Sequence, residues 1–488
     1  MTASPLISFL ALAFTGSTLL ATLTQCGNGN AQSSGVQLVT QDPAPADLLP
    51  PADRIKILVS GEMQGRLEPC GCASGQSGGL ARRMQHIGEQ RNYDLLLEGG
   101  DLIDGATPLD SLKLMAASEV LFLMGKYDAL GVGPKDLLLS REDWNLFLTG
   151  APVVASNLTC TDPAWPAKPF LEKDVRGIKV RVASFLLNLP ESVRGKDSTI
   201  QMVPTATAWT NALAGADAAT RRIVMLHGSD TEIRALIPQL QPAPDLVVGV
   251  DPGYIEPSPV PTKVGGVPLV FTGTRGRVLL DVWLHRDANG PQAVCELVPL
   301  AGSKTVVGGG GDPQVKDRIL AHRHEVKAED LLTKMARQLP TANGAAYVGT
   351  NTCRTCHPTA YEAWAKTKHA HAWQTLVDGE NDPKRYGWPV TAYPDCVSCH
   401  VVGYREQTGF LSFEDTPQLA NVACERCHGA GSDHMAAPAK NKLGLIGGVA
   451  PSLLCTQCHD YEQSPTFLYG EKWPQIEHSC EPNQKTKK

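Results

Sequence analysis

Basic charge is in short supply: 44 Lys and Arg stand against 50 Asp and Glu, for a formal net charge of -6 with only 19% charged residues. A chain so composed has no cationic surface for phosphate backbones, which argues against nucleic acid as a partner. Long apolar runs are absent beyond Tyr347, so a domain built there has few aliphatic residues from which to assemble an ordinary interior. Aromatic residues are also sparse, at 6%. What replaces them is a concentration of Cys and His, drawn from totals of 14 and 13 in a chain of 488 residues. That length is too great for one core and predicts two or three domains.

The stretch from Leu6 to Leu23 is apolar but diluted by Thr, Ser and Gly, and it reads as an export signal occupying residues 1–31. No Lys or Arg precedes it. Leu23-Thr24-Gln25-Cys26 resembles the lipobox of bacterial lipoproteins, in which the Cys is acylated, although Gln25 fills a site that usually holds a small residue. Cleavage after Ala31 is the alternative to a lipid anchor at Cys26. Both place the mature protein outside the cytoplasm, periplasmic or tethered to a membrane. Pro43, Pro45, Pro50 and Pro51 mark residues 32–52 as a linker.

Short β-branched runs then recur at Ile55 to Val59, Tyr93 to Leu97, Pro152 to Ala155, Ile178 to Ala183, Ile223 to Leu226, Leu246 to Val248 and Val278 to Val282. Helical patterns lie between them at Gly79 to Arg91 and Leu109 to Leu123. Strands alternating with helices predict a layered α/β domain over residues 53–302. Gly308 to Gly311 reads as a flexible joint, and Ile319, Val326, Leu331, Leu332 and Met335 place a connecting helix within 303–345. A second domain follows over 346–478, and a charged tail over 479–488.

Four pentapeptides dominate the second domain: Cys353-Arg354-Thr355-Cys356-His357, Cys396-Val397-Ser398-Cys399-His400, Cys424-Glu425-Arg426-Cys427-His428 and Cys455-Thr456-Gln457-Cys458-His459. Two thiols at this spacing can add to the two vinyl groups of one haem, and the adjoining His then binds the iron as proximal ligand. A zinc ribbon closes with four ligands and has no use for a His after every pair, and redox dithiols do not come in fours. The pattern therefore predicts four haem c groups, with His357, His400, His428 and His459 on the irons. The macrocycles are expected to form the core of this domain. A second His on an iron makes a closed electron carrier, whereas its absence leaves room for a small molecule. Candidates for that second position are His369, His371, His434 and His478, with His322 and His324 in the connecting segment.

Trp364-Ala365-Lys366-Thr367-Lys368-His369-Ala370-His371-Ala372, Cys399-His400-Val401-Val402-Gly403 and Cys424 through His434 resemble the tetrahaem cytochrome family that accepts electrons from hydroxylamine oxidation. The resemblance implies a mainly α, haem-packed domain with His369 and His434 as distal ligands. Residues 57–83, Gly99-Gly100-Asp101, Tyr127-Asp128-Ala129, Val154 to Leu158 and Val224-Met225-Leu226-His227 resemble the metallophosphoesterase domain of periplasmic nucleotidases, including a sulfur-oxidising branch. The fold implied is a calcineurin-like α/β four-layer sandwich. Most of that family's metal-ligand positions are altered here: its Asp-x-His is Glu62-Met63-Gln64, its Asn-His pair is Pro134-Lys135, and its late Gly-His-x-His is Gly249-Val250-Asp251-Pro252. Asp101 and His227 match, with Glu62 as a stand-in. A buried Lys135 is expected to repel a cation, so neither a dimetal centre nor phosphatase activity is expected.

Cys70-Gly71-Cys72 lies in the loop after the first strand, where two thiols one residue apart are candidates for redox or sulfur chemistry or for a loop staple. Cys160 and Cys295 read as a structural disulfide or buried thiols. The first functional reading is an electron carrier serving redox proteins in the periplasm or at the membrane, with a degenerate nucleotidase-like domain for docking or binding. The second is a redox enzyme that acts on a small sulfur or nitrogen compound through Cys70 and Cys72 or through an open haem. A metal-dependent nucleotidase with an attached cytochrome is disfavoured by the altered ligands.

Overall fold

The structure is a computed structural model that describes residues 53–69, 76–90, 92–193, 199–253, 257–302, 310–341, 344–438, 445–446, 451–460 and 463–478. The expected export signal, Cys26, Cys70, Cys72 and Cys480 lie outside these residues. From Ala46 onward the chain forms one compact unit.

The first half supplies β1 (Ile55–Ser60), β2 (Leu95–Glu98), β3 (Ala129–Leu130), β4 (Leu158–Cys160), β5 (Leu171–Val175), β6 (Ile178–Leu186) and β7 (Ile200–Met202). Then come β8 (Arg221–His227), β9 (Leu246–Val250), β10 (Thr262–Val264), β11 (Val267–Phe271), β12 (Val278–Asp287) and β13 (Gly290–Pro299). They make a five-stranded sheet in the order β13-β12-β1-β2-β3, a six-stranded sheet in the order β10-β11-β9-β8-β6-β5, and the pair β4-β7. Residues alternate across each strand, so the central strands β1, β2, β8 and β9 feed two layers of core. Ile55, Ile57, Val59, Leu95 and Leu97 of one sheet meet Val180, Val182, Ile223, Met225 and Val248 of the other. Leu58 and Leu96 turn outward instead, onto Leu80, Met84, Leu114 and Ile319 from helices. On the far side, Phe185, Val224 and Leu226 pack under Ala208, Trp209 and Ile233. Helices, sheet, sheet and helices therefore form the expected four-layer sandwich.

Helix Pro108–Ser118 starts where the sequence dictates: Thr107 and Asp110 cap each other reciprocally and Pro108 takes the first position. It is continued by a π-helical stretch, Glu119–Met124. The strand expected at Pro152 to Ala155 does not form a ladder, because Val153 bridges to Leu130 while Val154 bridges to Lys168. Two neighbours one residue apart leave no continuous partner.

Two further expectations need correction. The glycine joint is packed at its described end: Asp312 N donates to Ala81 O at 2.7 Å, and Gly311, at φ 105°, leaves only 2.8 Å between a Cβ and that of Ala81. Helix Pro313–Ala328 then sinks Val315 and Ile319 into the first part's core. In the haem-motif part, an apolar cluster does exist: Trp373, Leu376, Trp388, Val390, Val397, Val401, Phe410 and Leu419 are all buried. Aromatic and small aliphatic residues build it over 372–423, in place of a core made of macrocycles alone. Around the fourth motif, helices Pro451–Thr456 and Tyr469–Lys472 bury no residue. Among the described residues no helix is long and apolar enough to cross a membrane.

Candidate functional site

The four motifs sit on short helices. The second and third occupy Pro394–His400 and Cys424–His428, the first begins in Thr350–Arg354, and the fourth begins in Pro451–Thr456. A Cys-x-x-Cys on one helical turn brings both sulfurs to one face and leaves the following His at the helix end. All eight motif thiols are unpaired as disulfides. Cys353 lies against Cys424, and Cys399 against Cys458. The first motif therefore adjoins the third, and the second adjoins the fourth.

Imidazoles from elsewhere in the chain face three of the motif histidines. Ring centroids are 6.2 Å apart for His357 and His434, 6.0 Å for His459 and His369, and 5.9 Å for His428 and His478. A metal–imidazole bond is about 2 Å and the ring centre lies about 1 Å beyond the nitrogen, so two rings on opposite sides of one metal stand about 6 Å apart. These spacings fit an iron between each pair. His371 is exposed and no ring contact among the described residues joins it to a motif histidine, so of the two histidines on that turn it is His369 that is brought to a motif. His322 is buried and its Nε2 meets Tyr393 Oη at 3.1 Å, while its Nδ1 has no hydrogen-bond partner among the described residues. His324 is exposed on the same helix.

His400 differs from the other three. Its Nδ1 lies 2.6 Å from the carbonyl oxygen of Ala372, an arrangement that orients the ring and leaves Nε2 for a metal. Among the described residues no imidazole stands opposite it. His459 is steered in the same way by Ser464 Oγ at 2.8 Å and by stacking on Phe467 at 4.6 Å.

Glu425, inside the third motif, was not singled out by the sequence reading. It is buried, and its carboxylate accepts N–H bonds from Gly349 at 2.7 Å, Gly431 at 2.8 Å and Val348 at 3.0 Å. It thereby ties the approach to the first motif onto the third. A Glu in the variable pair of such a motif was the available signal.

A second cluster lies at the carboxyl ends of β1, β2 and β8, the side on which α/β sheets gather ligands. Glu62, Asp101 and His227 offer one ligand atom each, all within 4.8 Å of one another and all buried. Glu62 and Asp101 both adopt left-handed backbone, at φ 53°, a strain that tight surroundings must hold in place. Burial raises the pKa of Glu62 to about 7, and burial together with Glu62 lifts Asp101 well above the ordinary carboxyl value. Burial pushes His227 down to about 4, against its bond to the Gly99 carbonyl. Among the described residues, Glu62 Oε1 and Asp101 Oδ2 have no hydrogen-bond partner. Such a set fits one cation or a shared proton. It does not fit two cations, because Gln64 caps Glu62 at 2.8 Å and Asp251 is spent on Asp230 N and Gly253 N, each at 2.8 Å.

Lys135 is not buried as expected. Its side chain is 28% exposed and its ammonium turns to Asp104 at 2.5 Å, while its backbone N–H supports Asp101 at 2.8 Å. Next to it, the unforeseen Asp136 is buried and accepts from the backbone N–H of Asp101 and Leu102 at 2.7 Å each. Cys160 and Cys295 are free thiols, and burial raises that of Cys295 to about 12.

The two parts meet beside the second motif. Lys113 Nζ reaches Asp395 Oδ2 at 2.6 Å, and Arg323 reaches Glu68 at 2.6 Å while lying 4.2 Å over the Trp388 ring. Leu109, Val326, Leu331 and Met335 close the seam against Tyr393 and Tyr404.

Comparison with known proteins follows this division. The sheet-bearing part structurally resembles 5'-nucleotidases and calcineurin-like phosphoesterases. The sulfate thiohydrolase SoxB of Thermus thermophilus, solved with glycerol, is 16% identical with a TM-score of 0.47, covering 58% of this chain and 62% of that one. A 5'-nucleotidase precursor, also from Thermus thermophilus, is 18% identical with a TM-score of 0.44, covering 59% and 62%. In the other part, cytochrome c-554 of Nitrosomonas europaea is 35% identical over 96 residues, which is 18% of this chain and 41% of the relative. The chain thus spans less than half the length of that curated protein. Residues 352–429, which hold the first three motifs, match the family described as cytochrome c554 and c-prime.

Proposed function

We propose that this protein is an extracytoplasmic multihaem cytochrome c that transfers electrons through four covalently bound haems. The observation that carries the reading is the set of three imidazole pairs about 6 Å apart, each joining a motif His to one remote in sequence. Haem c, when bound, supplies reversible one-electron transfer at its iron. The chain supplies the rest. Cys353 and Cys356, Cys396 and Cys399, Cys424 and Cys427, and Cys455 and Cys458 give the thioether sulfurs. His357 with His434, His428 with His478, and His459 with His369 are the pairs that would hold an iron. The first and third motifs lie beside each other, as do the second and fourth, which sets the attachment points close together, as electron hopping requires.

The sheet-bearing part serves in this reading to dock or bind, and the partners are redox proteins in the periplasm or at the membrane, with Cys26 as the lipid anchor if it is acylated. A second reading is favoured by His400, which has no facing imidazole among the described residues. An open position there suits a redox enzyme for a small sulfur or nitrogen compound, with Cys70 and Cys72 as contributors.

Mass spectrometry of the denatured, exported protein should find four retained haems, and paramagnetic resonance should resolve three low-spin centres and one high-spin centre. Protein that retains no porphyrin rejects the whole proposal. Four low-spin haems that ignore nitric oxide and sulfide, with exchange unaltered in a Cys70→Ser, Cys72→Ser variant, reject the enzyme and leave the carrier.

A further inference from the structure

We infer that the sheet-bearing part tunes the reduction potential of one haem, the one carried on Cys396, Cys399 and His400, and that Lys113 is the positioning residue through which it does so. The inference rests on the proposed attachment of haem at those residues. Lys113 projects from helix Pro108–Ser118, which belongs to the sandwich, yet its side chain is only 8% exposed and its ammonium is bound to Asp395, a residue of the haem-motif part whose own side chain is 46% exposed. Asp395 directly precedes Cys396 and shares helix Pro394–His400 with all three haem-binding residues.

The groups that act on this carboxylate are Lys113, Arg66 and His322, and those that act on Lys113 are Asp395, Tyr393 and Asp110. Among the described residues, the ammonium in direct contact with Asp395 thus comes from the other part of the molecule. The fourth motif has a looser counterpart: Arg275 stands 3.5 Å from Asp460, next to His459, and both side chains are about one-third exposed, whereas the Lys113 ammonium stem is enclosed and its contact to Asp395 is 2.6 Å.

A ferric centre carries one more positive charge than a ferrous one, so a nearby anion lowers the potential and a nearby cation raises it, and burial strengthens both effects. Asp395 alone would hold the second haem low. Lys113 masks it. Lys113→Met should therefore lower the potential of that haem, Asp395→Asn should raise it, and the double variant should fall between them. Lys113→Arg, which keeps the charge, should leave it near the starting value.

The test is a spectroelectrochemical titration of the intact holoprotein, with the other haems as internal reference and retained haem counted by mass for every variant. Loosened packing would admit water at the iron and move both single variants the same way, whereas charge moves them oppositely. Opposite shifts confined to one haem support the inference. Shifts of the same sign, or no shift relative to the other haems, overturn it. A haem count below four in the unaltered protein instead strikes the underlying attachment proposal.

Discussion

Residues 53–300 and residues 451–478 are held together by different means. The first stretch surrounds two sheets with three aliphatic clusters in which residues such as Ile57, Leu96 and Phe185 are wholly enclosed. The second has short helices, no buried side chain in either of them, and exposed leucines at Leu453 and Leu468. Burial of apolar area at about 25 cal/mol per Å² can stabilise the sandwich unaided. It cannot stabilise the end of the chain. Between them, residues 372–423 have a modest apolar cluster of their own. The difference teaches that side-chain packing, which suffices for the sandwich, fades along the sequence, so that in the proposed reading the carboxyl end depends on its cofactor for order.

The largest effect should come from withholding haem. Protein made without cytochrome c maturation should lose hydrogen-exchange protection over 451–478 completely while 53–300 stays protected, since cofactor binding there is folding energy. Retained protection at the carboxyl end would break the comparison. Next, Phe185→Ala should cost about 3–5 kcal/mol in chemical denaturation, whereas Leu453→Ala, at a position 63% exposed, should leave the transition in place.

A smaller effect concerns the seam. Burial, reinforced by Lys113, Arg318 and Arg323, pushes the pKa of His322 down to about 3 from 6.5. The unfolded chain takes up the proton first, so this contribution is intact above pH 6.5 and fades toward pH 3, by at most about 1.4 kcal/mol per pH unit. His322→Phe should flatten that limb of the pH–stability curve, and an unchanged acid limb would remove His322 from the account. The smallest effect belongs to the exposed Arg275–Asp460 pair: Arg275→Gln should change stability by less than about 1 kcal/mol, measured by thermal unfolding.

Much of this architecture was legible beforehand because it is local. Runs such as Ile55 to Val59 and Ile223 to Leu226 became β1 and β8, and the motif spacing marked the candidate haem-attachment residues. Strands at sheet edges escaped notice: β13 begins at Gly290-Pro291, ends at Pro299 and is mostly half-buried, so it has no clean alternation. The histidine pairs were readable as a set of candidates only. Which ring meets which motif depends on contacts such as Val422 N to His369 O at 3.1 Å, made between residues 53 positions apart (422 − 369), and periodicity cannot encode these. Lys113 and Tyr393 were invisible for the same reason, since each looks ordinary until the other part of the molecule is placed beside it.

Helix Pro313–Ala328 has Val315 and Ile319 in the sandwich and Val326 in the seam with Tyr393 and Tyr404. A single rod anchored at both ends works as a strut, not a tether. Any displacement of the sandwich against the second motif would therefore have to unseat Val315 and Ile319 at one end of this helix or Val326 at the other.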